Sequence, residues 1–252
     1  MTFAVAAESY DRFMGRYSVQ LSPQLAELAG VEPGQRVIDV GCGPGALTAE
    51  LVGRLGAEAV AAVDPSEQFV EAARARHPGV DVRLAAAEAL PFSDDEFDAA
   101  LAQLVVHFMA DPVAGLREMA RVTSAGGVVA ACVWDHDGGR SPIAHFWEAV
   151  RQFDPDADAE AGRPGARKGH LVELFRAAGL GAVEESEVSA AAEYETFEQW
   201  WEPLNLGIGP AGAYAQSLGD AEVEELKELC RGVLPELPFR LTAYAWAVRG
   251  RA

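Results

Sequence analysis

The chain has 252 residues, with few cysteines and no long apolar run. Cys42, Cys132 and Cys230 do not have the spacing of a metal site, so we expect reduced thiols and no metal centre. No apolar run reaches the ~20 residues that a membrane-spanning helix requires. The N-terminus also lacks a basic segment followed by an apolar one. We therefore expect a cytoplasmic protein without a signal peptide.

Basic residues are also scarce. The 20 Lys and Arg residues face 39 Asp and Glu residues, which gives a formal net charge of −19. Such a surface repels the phosphates of nucleic acids and the headgroups of anionic lipids. The charge therefore argues against a nucleic-acid or membrane substrate and favours a small molecule.

Glycine, in contrast, is concentrated where a ligand could approach the backbone. The stretch from Val37 to Thr48 has the pattern of a buried strand, a glycine turn and the start of a helix. Gly41, Gly43 and Gly45 permit positive φ angles and remove the side chains that would keep a ligand away. The free N–H groups of the following helix would point at that ligand.

Three interpretations of this loop remain open. Gly41-x-Gly43-x-x-Ala46 fits a variant of the nicotinamide or flavin fingerprint, which would make the protein an NAD(P)-dependent oxidoreductase. A glycine turn that binds no ligand is the second. A different ligand is the third, because Asp39 inside the strand suits a cationic group and would repel a pyrophosphate. Pro44 also removes one N–H that a phosphate would need.

A second acidic residue follows the next apolar strand. Asp64 lies about 20 residues after the glycine loop, where an acid at the tip of the second strand accepts hydrogen bonds from ribose hydroxyls. The segment from Asp64 to Glu67 also suits a helix start, so Asp64 is a candidate N-cap residue as well. The two roles are compatible.

Strand and helix patterns alternate through the first half of the chain, which predicts a parallel, doubly wound α/β sheet. Ligands of such sheets bind at the carboxyl ends of the strands, where Gly41, Asp64, Glu88 and Gln103 would meet. The predicted strands cover residues 36–40, 58–63, 81–85, 98–103, about 127–133, about 182–189 and 240–249.

Further motifs follow the glycine loop in a fixed order: Val63-Asp64-Pro65-Ser66, then Ala87-Glu88-Ala89-Leu90-Pro91-Phe92 with Phe97-Asp98, then Glu118-Met119-Ala120-Arg121-Val122 with Gly126-Gly127. Together with the opening segment from Tyr10 to Ser18, they resemble the class I S-adenosylmethionine (SAM) dependent methyltransferases. The similarity is strongest to the small-molecule (type 11) branch around the ubiquinone and menaquinone biosynthesis methyltransferases. It extends from about Tyr10 to Val133.

This resemblance implies a Rossmann-like, mostly parallel seven-stranded sheet with helices on both faces and an antiparallel last strand. Helical insertions are expected after strands five and six. It further implies an N-terminal helical lid at 1–30, a SAM-binding core at 31–135, and substrate-cap insertions with the last sheet strands at 136–252, all within one structural domain.

The resemblance also implies a set of cofactor-binding residues. Many relatives hold the adenine with an Asp where this chain has Ala86, so either Glu88 substitutes or the adenine is held by backbone at Ala87 and by packing on Phe69. The predicted cofactor contacts are Tyr10, Arg12, Tyr17, Asp39, Gly41, Cys42, Gly43, Asp64, Pro65, Gln68, Phe69, Ala87, Glu88, Gln103 and Leu104.

The implied reaction is methyl transfer from SAM to a small-molecule acceptor by in-line displacement, and a SAM-binding protein without methyl transfer is the alternative within this family. His107 is either a general base or a packing residue. Of the adjacent Trp200 and Trp201, one would face a pocket or partner, or the two would form core plus exposed edge. The predicted substrate pocket comprises Phe13, Met14, His107, Trp134, His136, His145, Trp200 and Trp201.

Overall fold

A computed structural model describes residues 10–157 and 160–252, apart from the side chain of Ala161. Residues 1–9 of the predicted lid and residues 158–159 of an acidic loop lie outside the described part. No helix among the described residues is long and apolar enough to cross a membrane. The same ranges contain no group of three or more side chains arranged to hold a metal ion.

Seven strands form one sheet in the order β3-β2-β1-β4-β5-β7-β6. The first five strands are parallel, and β7 runs antiparallel to both of its neighbours. This architecture confirms the predicted fold class. The strands are β1 (Val37–Val40), β2 (Val60–Asp64), β3 (Asp81–Leu84), β4 (Phe97–Gln103), β5 (Thr123–Trp134), β6 (Gly181–Tyr194) and β7 (Phe239–Arg251).

Helices follow the strands as a doubly wound sheet requires, and the two helical insertions come after β5 and β6 as predicted. A π-helical turn at Asp11–Gly15 precedes the first α-helix. The α-helices are α1 (Arg16–Leu28), α2 (Ala46–Leu55), α3 (Glu67–Arg76), α4 (Pro112–Val122), α5 (Ala144–Phe153), α6 (His170–Ala177), α7 (Phe197–Trp201), α8 (Gly209–Ser217) and α9 (Asp220–Val233).

The central strands are buried on both faces, which is why every position of β1 and β2 is buried and, apart from Asp39 and Asp64, apolar rather than alternating. On one face, Leu21 and Leu25 of α1 pack with Leu51 of α2 over the strands. On the other face, Met119 of α4 and Phe175 of α6 form a second cluster. The helices thus fix the carboxyl ends of the parallel strands, where the predicted ligand residues lie.

The inserted helices form a third apolar cluster of their own, which includes Met14 from the N-terminal turn. Trp200 and Trp201 are both buried in it, which differs from the alternative of core plus exposed edge. The reason is that α7 has only five residues and is covered on two sides. Phe146 of α5 lies 6.3 Å from the Trp201 ring, and Lys227 of α9 lies over the same ring.

Two glutamines of α1 cover the outer edge of β6. Gln24 donates to the Ser189 carbonyl (2.8 Å) and accepts from the Ser189 N–H (3.2 Å). Gln20 makes the same pair of bonds with Ala191, at 2.9 and 3.1 Å. Because the two residues are four apart, both side chains lie on one face of the helix. They occupy backbone groups of an edge strand and hold the N-terminal helix against the sheet.

The strand ends were predicted less well than the strands themselves. β5 begins at Thr123, before the predicted start at about 127. β6 extends past its predicted end at about 189 to Tyr194, which pairs with Phe239 of β7. The two long strands pair antiparallel with each other, so they can continue beyond the point where the parallel strands stop. The extension carries β6 and β7 up to the inserted helices, where Tyr194 and Phe239 join the third cluster.

Candidate active site

The glycine loop after β1 is held in place by backbone hydrogen bonds to β2. The N–H groups of Gly41 and Cys42 both donate to the Val63 carbonyl, at 2.8 and 2.9 Å. Gly41 and Gly43 have φ angles of 76° and 53°, in the left-handed region. A methyl group added to Gly41 would lie 2.5 Å from the Val105 side chain, whereas one added to Gly43 would meet nothing within 4 Å. Gly43 therefore leaves open space that a ligand can use.

Asp39 lies beneath this loop. Its carboxylate is 1% exposed and accepts a hydrogen bond from the Thr48 hydroxyl at 2.7 Å. Burial, together with the nearby Asp64 charge, raises the pKa of Asp39 to about 7. The residue ties β1 to the start of α2 and does not line the cleft. Burial and the two carboxylates also raise the pKa of the Cys42 thiol.

Asp64 closes the loop from the tip of β2. Its Oδ2 accepts from the Gly43 N–H at 2.9 Å and its Oδ1 from the Ser66 N–H at 2.8 Å. Ser66, not Asp64, is the N-cap residue of α3. Burial raises the pKa of Asp64 above its usual value. The carboxylate thus orders the loop and still borders the cleft.

A cleft of about 480 Å³ lies at the carboxyl ends of β1, β2 and β4. It brings together eight of the predicted cofactor residues and adds two side chains that sequence reasoning missed, Val105 and Phe108. The eight are Tyr10, Gly41, Gly43, Asp64, Pro65, Phe69, Gln103 and Leu104.

Other predicted cofactor residues have different surroundings. Arg12 and Gln68 are exposed, and Ala87 is buried in the cluster beneath α4. The Tyr17 hydroxyl is buried and hydrogen-bonded to the Tyr194 hydroxyl at 2.7 Å. The Glu88 carboxylate accepts from the N–H groups of Ala110 and Asp111, at 2.8 and 3.2 Å. None of these side chains lines the cleft.

Gln103 and Leu104 end β4 at the floor of the cleft. The Gln103 amide donates to the Ser18 carbonyl at 3.1 Å, and its buried Oε1 has no hydrogen-bond partner within the described residues. Leu104 has a φ of 61°, which is costly for a branched side chain and concentrates at functional sites. No local sequence pattern indicates this strain. The conformation places the Leu104 side chain where two cavities meet.

Tyr10, at the N-terminal end of the π-helical turn, also borders both cavities. Its ring meets Phe69 edge to face at 5.5 Å, and its hydroxyl is hydrogen-bonded to Ser18. Burial raises the pKa of Tyr10 to about 12, so the hydroxyl stays neutral. The N-terminal segment therefore forms a wall shared by the two cavities.

The second cavity, of about 460 Å³, adjoins the cleft and has mostly apolar walls. Five residues of the predicted substrate pocket line it: Phe13, Met14, His107, Trp134 and His136. His145 does not, and its ring instead lies 3.5 Å from Glu148 on the same helix. Trp200 and Trp201 do not line it either. Residues missed from the sequence are Phe108, Ile143, Glu160, Ile208, Gly209, Pro210 and Ala211.

Two histidines face each other in this pocket, with ring centroids 5.8 Å apart. Burial, with further contributions from His136 and Arg163, holds the pKa of His107 well below its usual value. Burial and Arg163 lower the pKa of His136 to about 4. Both imidazoles are therefore neutral near pH 7, and each can offer one N–H and one lone pair.

Comparisons with known proteins identify the family of the chain and its fold. A sequence model of the methyltransferase domain family matches residues 38–131, which include the glycine loop, Asp64 and the end of β4. Two solved structures share the fold. A SAM-dependent methyltransferase of Thermotoga maritima is 20% identical, with a TM-score of 0.56 over 97% of this chain and 93% of that one. A geranyl diphosphate methyltransferase in complex with SAM is 18% identical, with a TM-score of 0.53 over 93% and 85%.

Two relatives are similar in sequence. A malonyl-[acyl-carrier protein] O-methyltransferase of Erwinia billingiae is 37% identical over 64% of this chain. The matched region covers 65% of that enzyme's length, slightly less than two thirds. A demethylmenaquinone methyltransferase of a Mycobacterium species is 35% identical over 70% of this chain and 72% of its own length. The chain therefore belongs to the S-adenosylmethionine-dependent methyltransferase family.

Proposed function

We propose that this protein transfers a methyl group from SAM to a small, largely apolar acceptor. The observation that carries the proposal is the junction of two cavities, which share Tyr10, Leu104 and Phe108. One is bordered by the glycine loop and a buried acid, and the other is apolar with two neutral imidazoles. A donor and an acceptor bound in adjoining cavities would be held together for direct transfer.

The polar atoms of the cleft fit SAM. Asp64 keeps acceptor capacity beyond its two loop bonds, because each carboxylate oxygen can accept more than one hydrogen bond. It would hold the ribose hydroxyls. The unpartnered Oε1 of Gln103 would accept from the ammonium group of the methionine part. Phe69 and Pro65 offer an apolar surface for the adenine, and the open space at Gly43 admits the ligand next to the backbone.

SAM supplies a methyl group that its sulfonium makes electrophilic, so the protein mainly has to position the acceptor and exclude water. Tyr10, Leu104 and Phe108 line both cavities, so they would surround the reacting region where the two cavities meet. His107 would take up the proton of the acceptor as a weak base, since burial keeps its ring neutral and its pKa low, and its Nδ1 has no partner among the described residues.

The net charge of −19 supports a small molecule over a nucleic acid or a membrane surface as the substrate. The three cysteines are buried free thiols, as expected for the cytoplasm, which is the compartment we propose.

The test is calorimetric titration of the purified protein with SAM, S-adenosylhomocysteine and NAD in parallel. We expect binding of the two sulfur ligands and none of NAD. Binding of NAD alone would overturn the proposal in favour of an oxidoreductase. Binding of the sulfur ligands, without formation of S-adenosylhomocysteine across an acceptor screen, would leave a SAM-binding protein without methyl transfer.

A further inference from the structure

Four nitrogen atoms in or beside the apolar pocket have no hydrogen-bond partner within the residues that the structure describes. They are Nδ1 of His107, both ring nitrogens of His136 and Nε1 of Trp134. All three residues line the pocket. Leaving a buried polar atom unpaired costs about 1–3 kcal/mol, and most buried polar atoms in proteins are paired. Several such atoms around one cavity indicate a ligand that pairs with them.

The nitrogens define the kind of group they can bind. A neutral imidazole offers one donor and one acceptor, whereas the indole of Trp134 offers only a donor. A hydroxyl group both donates and accepts, so it can bond to an imidazole lone pair and to an N–H at the same time. A carboxylate only accepts, and it would leave the imidazole lone pairs facing an anion.

The charges nearest the pocket balance each other. Glu160 borders the pocket, and its Oε2 accepts a hydrogen bond from the Trp147 indole at 3.0 Å. The guanidinium of Arg163 lies 4.0 Å from the other carboxylate oxygen of Glu160 and 5.7 Å from the Phe108 ring. An acceptor with its own charge would thus be buried against apolar walls without a counter-charge of its own, which is costly.

We propose that His107, His136 and Trp134 bind a hydroxyl group on a neutral, otherwise apolar acceptor, and that this pocket selects neutral acceptors over anionic ones. The inference rests on the proposed function, because it gives the acceptor class of the same site. His136 contributes most to this selection, since both of its nitrogens are available. His136 also borders a polar cavity of about 450 Å³ on its other side, so it forms the boundary between the apolar pocket and polar surroundings.

The proton of the hydroxyl has a defined route in this arrangement. When the oxygen forms its bond to the methyl carbon, the O–H bond breaks and its electron pair stays on oxygen. The electron pair of the broken carbon–sulfur bond stays on sulfur. The proton passes to an imidazole nitrogen of His107 or His136, and His136 can release it into the polar cavity, which is lined by Asp137, Ser141 and Arg151.

The test uses three probes that share one body: 4-propylphenol, 4-propylanisole and 4-propylbenzoate. Their affinities are measured by calorimetry, with and without S-adenosylhomocysteine. We expect the phenol to bind roughly tenfold more tightly than the anisole, which lacks the hydroxyl proton, because one hydrogen bond to a buried group is at stake. The benzoate should bind most weakly. Equal affinity for phenol and anisole, or tighter binding of the benzoate, would overturn the inference.

The variant His136→Phe keeps an aromatic ring and removes both nitrogens. We expect it to lose the preference for the phenol and to bind the anisole as the wild type does. His145→Phe is the matched control, because His145 is half-buried on α5 outside the pocket. His107→Phe should reduce the preference in the same direction. A preference that survives in both pocket variants would contradict the proposal.

Binding of S-adenosylhomocysteine separates this inference from the proposed function. It also reports that each variant is folded at the glycine loop. If S-adenosylhomocysteine fails to bind the wild type, the proposed function fails, whatever the probes do. If it binds and the three probes do not differ, only the acceptor class is wrong.

Discussion

The two adjoining cavities are built in different ways. The cleft is built around the backbone of the glycine loop, which is held by the N–H groups of Gly41 and Cys42 on the Val63 carbonyl and by the Gly43 N–H on the Asp64 carboxylate. The second pocket is bounded by side chains from the N-terminal turn, β5 and the inserted helices. A backbone site binds one cofactor in one geometry. A side-chain site can change its ligand by substitution without disturbing the fold.

Their electrostatics differ as well. Asp64 borders the cleft and Asp39 lies beneath its glycine loop, and burial raises the pKa values of both carboxyl groups. Buried imidazoles lie at the pocket, and burial lowers the pKa values of His107 and His136. At both sites burial favours the neutral form of the titratable group. At the cleft, however, a cationic ligand would restore the charged form, whereas the pocket favours a neutral ligand throughout.

The largest expected effect separates the two cavities. Asp64→Ala should weaken binding of SAM and S-adenosylhomocysteine by roughly tenfold or more, because it removes a charge-assisted acceptor and frees the Gly43 N–H. Binding of 4-propylphenol should change little. Asp81→Ala, at an exposed ion pair with Arg83 on β3, is the control. Unchanged SAM affinity in Asp64→Ala would remove Asp64 from the ribose site.

The same contrast explains what the sequence could predict. Asp64 and the glycine loop lie within about one βα unit, so spacing alone indicates that they meet. Ile208 and Ala211 follow no motif and reach the pocket only through the packing of α8 with the other inserted helices. The positive φ of Leu104 depends on the end of β4, where the Leu104 N–H donates to the Cys132 carbonyl. Tertiary contacts of this kind leave no local pattern.

A second prediction uses the opposite pKa shifts of the buried Asp39 and His107, beginning with Asp39. The folded protein holds a proton on Asp39 up to about pH 7, whereas the unfolded chain releases it near pH 4. The folded state therefore binds more protons in this window, and Asp39 lowers stability as the pH rises. Asp39→Asn removes this loss. Its stability relative to the wild type should increase from about pH 4 to about pH 7, by up to about 1.4 kcal/mol per pH unit.

His107 should behave in the opposite way. Below about pH 6.5 the unfolded chain binds a proton on this histidine that the folded protein does not, since burial, with smaller contributions from His136 and Arg163, disfavours the charge and lowers its pKa. The wild type therefore loses stability as the pH falls, and His107→Phe should lose less. Urea denaturation of both variants across this range measures the two slopes. Slopes of equal sign would contradict the opposite pKa shifts of Asp39 and His107.

The smallest expected effect concerns the wall that both cavities share. Gln20 and Gln24 hold α1 against the edge of β6 by hydrogen bonds. On the same helix, the Ser18 carbonyl accepts a hydrogen bond from the Gln103 amide, and Ser18 is hydrogen-bonded to the Tyr10 hydroxyl. The double variant Gln20→Ala, Gln24→Ala should lower the free energy of unfolding by on the order of 1 kcal/mol, because the freed backbone groups lie at a half-buried sheet edge where water can replace the lost bonds. It should also weaken S-adenosylhomocysteine and 4-propylphenol binding by similar factors of about two to five.

The control for this variant is Gln199→Ala. The Gln199 side chain accepts a hydrogen bond only four residues away, from the Glu195 N–H at 2.9 Å, just beyond the last residue of β6. Equal weakening of both ligands is expected because Tyr10 contacts both cavities through the same ring. If only the probe binds more weakly, the N-terminal helix serves the acceptor pocket alone. The cleft would then depend solely on the backbone of the glycine loop and its neighbours, which would sharpen the contrast between the two sites.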